Sequence, residues 1–112
     1  MDHRKKNFAI NAIRRASYRW PSRYTALKNW KVGRNEYVCA ECGTINPKKN
    51  IQLDHVDPCV PVTGWDGFDG FIDRMYTDTP EGFQVLCKDC HAAKSAEENE
   101  QRRIHAKDKK NK

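Results

Sequence analysis

An α+β domain with a helical N-terminal extension is the fold this sequence predicts. Three observations carry it: apolar residues at helical spacing over the first thirty positions, short strand-like stretches beside two cysteine pairs, and a polar helical pattern after the second pair. Leu, Ile, Val and Phe make up only 19 of the 112 residues, so an apolar core alone is thin. Three Trp, four Tyr and five Cys argue for a folded chain whose core is supplemented by something covalent or metallic. The length suits one compact domain with its extensions, which excludes multidomain enzymes and long repeat arrays.

From Lys6 to Trp20 the residues Phe8, Ile10, Ala12, Ile13, Ala16 and Trp20 recur at mostly helical spacing, with Arg14, Arg15 and Arg19 between them, which predicts an amphipathic helix. Pro21 ends or kinks it, Ser22 is a candidate cap, and Tyr24, Leu27, Lys28 and Lys31 extend a second helix toward Gly33. Tyr37 and Val38 read as a short strand, and Ile51 to Val56 as another, closed by Pro58. Residues 57–82 hold seven Gly or Pro among Trp65, Phe68 and Phe71, the pattern of a long loop with its own aromatic packing and a short helix over 71–76. Phe83 to Cys87 is a further strand, and Asp89 to about Arg103 a helix with Asp89 as candidate cap.

Cys39-Ala-Glu-Cys42 and Cys87-Lys-Asp-Cys90 are two C-x2-C knuckles, the spacing at which one turn presents two thiolates to a tetrahedral ion. Two knuckles make one four-cysteine zinc site, and bound zinc supplies the stability that the core lacks. The 44 residues between Cys42 and Cys87 exceed the roughly 15 to 20 of a zinc ribbon, so a sizeable segment is inserted. Cys59 is left over and reads as a small apolar residue.

Charge is divided unevenly. Residues 1–38 carry net +8, residues 39–90 net −5 and residues 91–112 net +3. Basic ends around an acidic centre suit a chain that grips a polyanion while its centre holds a cation. No run approaches the ~18 apolar residues of a membrane span, and the first residues lack the apolar segment of a secretory signal, so no membrane partner and a soluble, cytoplasmic setting are expected.

Within the insert, Asp54-His55 ends a strand, and His91 directly follows the last cysteine in the first turn of a helix. Zinc on Cys39, Cys42, Cys87 and Cys90 would clamp that strand beside that helix. Oxygen and nitrogen donors would then face each other as a divalent catalytic ion requires. Asp57, Asp66, Asp69 and Asp78 read as solvated or turn-capping.

The segments LDHVDP and FQVLCKDCHAAK, with Cys39-x-x-Cys42 upstream, resemble the zinc-bearing HNH endonucleases, over roughly residues 37–105. The resemblance implies a ββα-metal finger, a phosphodiester hydrolase cutting DNA, with His55 as general base and Asp54 and His91 as ligands of a catalytic ion, Mg or Mn or else Ni or Zn. One departure stands out: the middle Asn of the family, which in many members braces the loop holding the base, is here Gly82. Lys94, one turn beyond His91, is a candidate phosphate contact, as are Arg14, Arg15, Arg19 and Arg23.

The chain thus divides into a basic helical extension (1–36), a nuclease domain (37–106) and a disordered basic tail (107–112). It is similar in size and charge to the standalone proteins of this family in bacteriophages and bacteria. DNA is then the expected partner, a packaging terminase or another protein a further one, and the cytoplasm of a bacterial or phage-infected cell the expected location. The competing reading is a zinc-stabilised nucleic-acid-binding module without catalysis, which needs the cysteines and the basic ends but not Asp54, His55 and His91 together.

Overall fold

A computed structural model describes residues 2–110, with side chains to residue 107. The chain runs α1 (His3–Ser17), α2 (Pro21–Asn29), β1 (Lys31–Gly33), β2 (Glu36–Val38), β3 (Ile45–Asn46), β4 (Ile51–His55), α3 (Phe68–Met75), β5 (Phe83–Cys87) and α4 (Lys88–Lys110). Mixed helices and small sheets make it α+β, as expected.

Asp2 caps α1 by accepting from the Arg4 amide at 2.7 Å. The second helix is shorter than expected. It begins at Pro21, whose missing N–H costs nothing at a helix N-terminus, with Trp20 in the cap position. Ser22 does not cap; its hydroxyl donates to the Asp78 carbonyl at 3.3 Å. Nor does the helix reach Gly33. Lys31–Gly33 instead pairs antiparallel with β2 around Arg34-Asn35, where Asn35 takes φ 52°, a left-handed conformation that Asn tolerates. The unforeseen strand β3 completes this sheet in the order β1-β2-β3.

Strands β4 and β5 form a separate antiparallel ribbon in which Ile51 faces Cys87, Asp54 faces Gln84 and His55 faces Phe83. With α4 starting at Lys88, directly after β5, they make a ββα unit. α4 runs past Arg103 to Lys110; Asn111 and Lys112, the end of the expected basic tail, lie outside the described residues.

Among the described residues, two separate clusters of buried side chains stand out. Cys39, Leu86 and Cys87 pack with Cys90 at the cysteine end. Cys59, Phe71 and Met75 pack with Ile10, Ile13, Trp65 and Tyr76, joining α1 to α3 of the insert. The apolar reading of Cys59 agrees with this packing, and burial raises its thiol pKa. The early aromatics join the insert or solvent: Trp20 donates to the Thr77 carbonyl at 2.7 Å and meets Tyr76 edge-on, Tyr18 lies under the Arg23 guanidinium, and Tyr24 is exposed.

Candidate functional site

The cysteine end is built by two tight turns. After β2, the Cys39 amide donates to the Thr44 carbonyl and the Gly43 amide to the Cys39 carbonyl, both at 2.9 Å, with Gly43 at φ 74°. This turn swings Cys42 back beside Cys39. The Ala40 amide donates a hydrogen bond to the Val85 carbonyl at 2.8 Å and so lays the knuckle on β5, which ends at Cys87 just before Cys90 in the first turn of α4. All four sulfurs lie within 4.8 Å of one another, and Cys42 and Cys87 are 3.9 Å apart, close to the roughly 3.8 Å edge of a tetrahedron with Zn–S bonds of about 2.3 Å. Burial opposes ionisation of Cys39, but hydrogen bonds from the backbone of Cys42, Cys87 and Glu41 outweigh it and bring its pKa to about 6, favouring the ligating thiolate. The four cysteines can therefore hold a structural zinc.

The other end of the ribbon carries the remaining predicted residues. Neighbouring strand positions face opposite sides, so Asp54 looks with Gln84 toward α4 while His55 looks with Phe83 toward the insert. Asp54 is well sheltered, its side chain 13% exposed, and its two oxygens have different neighbours. Oδ2 accepts from Lys94 Nζ at 2.9 Å and Gln84 Nε2 at 3.1 Å. Oδ1 faces His91 Nε2 at 3.7 Å. His91 is on the turn of α4 after Cys90, so the second knuckle also sets its position.

His55 is held differently. Its Nε2 lies 3.1 Å from the Met75 carbonyl, at the end of α3, where a helix leaves its last carbonyls without internal partners. A carbonyl only accepts, so Nε2 carries the proton and Nδ1 keeps its lone pair. Burial pushes the imidazole pKa below that of an ordinary histidine, with Arg23 and Lys94 acting in the same sense and the Met75 carbonyl and Asp54 opposing. Burial thus favours the neutral imidazole.

Asp54, His55, His91 and Lys94 line one cavity of about 360 Å³, together with Arg14 of α1 and Arg23 of α2. Arg15 and Arg19, predicted with them, are exposed and do not line it. Sequence reading missed three contributors. Gln84 was legible only through its pairing opposite Asp54; Arg102, which lines the cavity and donates to the Val60 carbonyl at 2.9 Å, lies three turns beyond the cysteines on α4; the Met75 carbonyl has no side-chain signal at all.

Gly82 also finds its reason. Its carbonyl accepts from the Val56 amide at 3.0 Å, just after His55. A Cβ at Gly82 would stand 2.4 Å from Thr77 Cγ2 and 2.6 Å from Thr77 Cβ. The insert occupies the space a larger residue needs, and the Gly82 and Met75 carbonyls, accepting from the Val56 amide and His55 Nε2, restrain His55 and the residue after it.

No family model and no solved structure matches the chain. One curated protein, "Probable HNH endonuclease" of Lactococcus phage SK1, is 27% identical over 90 residues, covering 80% of this chain and 87% of its own length. Among the described residues no helix is long and apolar enough to cross a membrane. The name of that distant relative and the four-cysteine cluster fit an HNH-type family.

Proposed function

We propose that this protein is a metal-dependent DNA endonuclease of the zinc-bearing HNH type, a ββα-metal finger that hydrolyses phosphodiester bonds. The observation that carries the reading is the convergence of His55, its Nε2 against the Met75 carbonyl, and a facing Asp54–His91 pair on one arginine-flanked cavity. The donor set fits a small divalent ion: a carboxylate oxygen and an imidazole nitrogen 3.7 Å apart are within the roughly 4.2 Å that two bonds of about 2.1 Å can span. Such an ion, when bound, neutralises the phosphate and stabilises the leaving oxygen.

The chain's own groups supply the rest. His55 Nδ1 takes the proton from the attacking water, and the Met75 carbonyl holds the ring in the required tautomer. Asp54 Oδ1 and His91 Nε2 are the ligands, and Gln84 fixes the carboxylate. Arg14 and Arg23 reach the substrate phosphates, while Arg15 and Arg19 extend the basic surface beyond the cavity. In this reading residues 37–106 are the nuclease domain, and 1–36 wall its cavity as well as carrying charge.

Plasmid cleavage with Mg or Mn tests the proposal. His55→Ala should lower the rate by about 10²- to 10⁴-fold with metal affinity unchanged. Asp54→Ala and His91→Ala should instead weaken metal binding and recover in part with excess Mn. DNA binding without cleavage by the wild type at any metal concentration would favour the binding-module reading; rescue of His55→Ala by metal would overturn the assigned roles.

A further inference from the structure

Lys94 was expected to reach for a phosphate, yet its ammonium is already engaged inside the site. Nζ lies 2.9 Å from Asp54 Oδ2, 3.0 Å from the His55 carbonyl and 3.5 Å from Glu98 Oε2. Every one of these partners is an oxygen acceptor, and two of them belong to the Asp54-His55 pair itself. The cation is half-buried, its side chain 25% exposed, so solvent screens it only in part.

Resting on the endonuclease reading, we infer that Lys94 is a resident cation that competes with the divalent ion for the charge of Asp54 and yields when a DNA phosphate arrives, making metal and DNA bind cooperatively. Two positive groups sharing one sheltered carboxylate repel each other, so Lys94 lowers metal affinity in the free protein. A phosphate entering the cavity offers Lys94 another anionic partner on the same side as Arg14 and Arg23. Once Lys94 turns to it, Asp54 is left to the metal. By linkage, DNA then tightens the metal as much as the metal tightens DNA. Glu98, one turn further along α4, holds the displaced ammonium close to the site instead of releasing it to solvent.

The alternative is that Lys94 only ties α4 to β4, in which case removing it loosens Asp54 and weakens metal binding. Mn affinity, measured by calorimetry or Mn electron paramagnetic resonance on the full-length zinc-loaded protein, separates the two. Lys94→Met removes the charge; Lys94→Gln removes the charge but keeps a donor for Asp54, so it remains informative if the first variant folds poorly. Both should bind Mn more tightly than wild type without DNA, by a factor within the about 5- to 150-fold range of ordinary couplings. Adding a short DNA duplex, in a His55→Ala background that slows its cleavage, should tighten Mn strongly when Lys94 is present and much less in Lys94→Gln. Unchanged or weaker Mn binding by both Lys94 variants overturns the inference while leaving the endonuclease reading intact. Asp54→Ala binding Mn as well as wild type overturns the site itself, and the inference with it.

Discussion

The two cores of this protein hold the site from opposite sides by different physics. At the cysteine end, Cys39, Leu86 and Cys87 form a small cluster, and four sulfurs within 4.8 Å of one another can hold a zinc ion. At the insert end, Phe71 and Met75 are almost fully buried among residues of α1 and the long loop. The first core sets Asp54 against His91 through β5 and Cys90; the second sets His55 through the Met75 carbonyl. One end depends on coordination, the other on packing, and the cavity lies between them.

The comparison breaks most visibly at the cysteines. Cys87→Ser removes a ligand from an ion worth on the order of 10 kcal/mol of folding free energy in small zinc domains, so the variant should be unfolded by circular dichroism and carry no zinc. A chelator strong enough to strip wild-type zinc should have the same effect. Melting like wild type would assign stability to the insert core instead.

Phe71→Ala probes the other side. Truncating a buried phenylalanine costs about 3–5 kcal/mol, and here it also removes a partner of the Arg14 guanidinium, 5.5 Å from the ring. The protein should melt earlier yet retain one zinc per chain, and its cleavage rate should fall more than its metal affinity because α3 carries the carbonyl that orients His55. Loss of zinc together with Phe71 would mean that the cores are one unit.

A smaller effect is expected from Gly82→Ala. The added Cβ meets Thr77, fixed by its own bond to the Thr79 carbonyl at 2.9 Å, so overpacking should cost about 1–3 kcal/mol, and Thr77→Gly in the same chain, which removes both Cγ2 and Cβ, should recover part of it. Without that recovery, the clash is not the reason for glycine at this position.

The finest distinction lies among the arginines. Arg14→Ala or Arg23→Ala should lower kcat/KM by about tenfold, as expected for a hydrogen bond to a charged group. Arg15→Ala and Arg19→Ala, outside the cavity, should cost less than about fivefold and lose even that at high salt. Equal effects from all four would mean that the basic helices act only as a diffuse field.

The cysteine end was legible because its information is local: C-x2-C spacing brings two sulfurs together within a single turn, and only the meeting of two such turns needs the fold. Asp54 and His91 were legible for a related reason, each lying next to an element that the cysteines restrain. The insert was not. Its loop and short helix could be foreseen from Gly, Pro and aromatic spacing, but not that the Met75 carbonyl would meet a histidine twenty residues away.

Sequence by itself thus determined the α+β class, the four-cysteine cluster able to hold zinc and the candidate residues, because residue type and short spacing carry those. Tertiary structure alone decided which arginines enter the cavity, why Gly82 stands where it does, and that Lys94 lies against Asp54. Backbone carbonyls have no side-chain signature, and helix length misreads where a chain can gain more by pairing as a strand, as Lys31–Gly33 does with β2. Such contacts depend on the packing of segments far apart in the chain, and nothing in one segment's pattern specifies the other's surface.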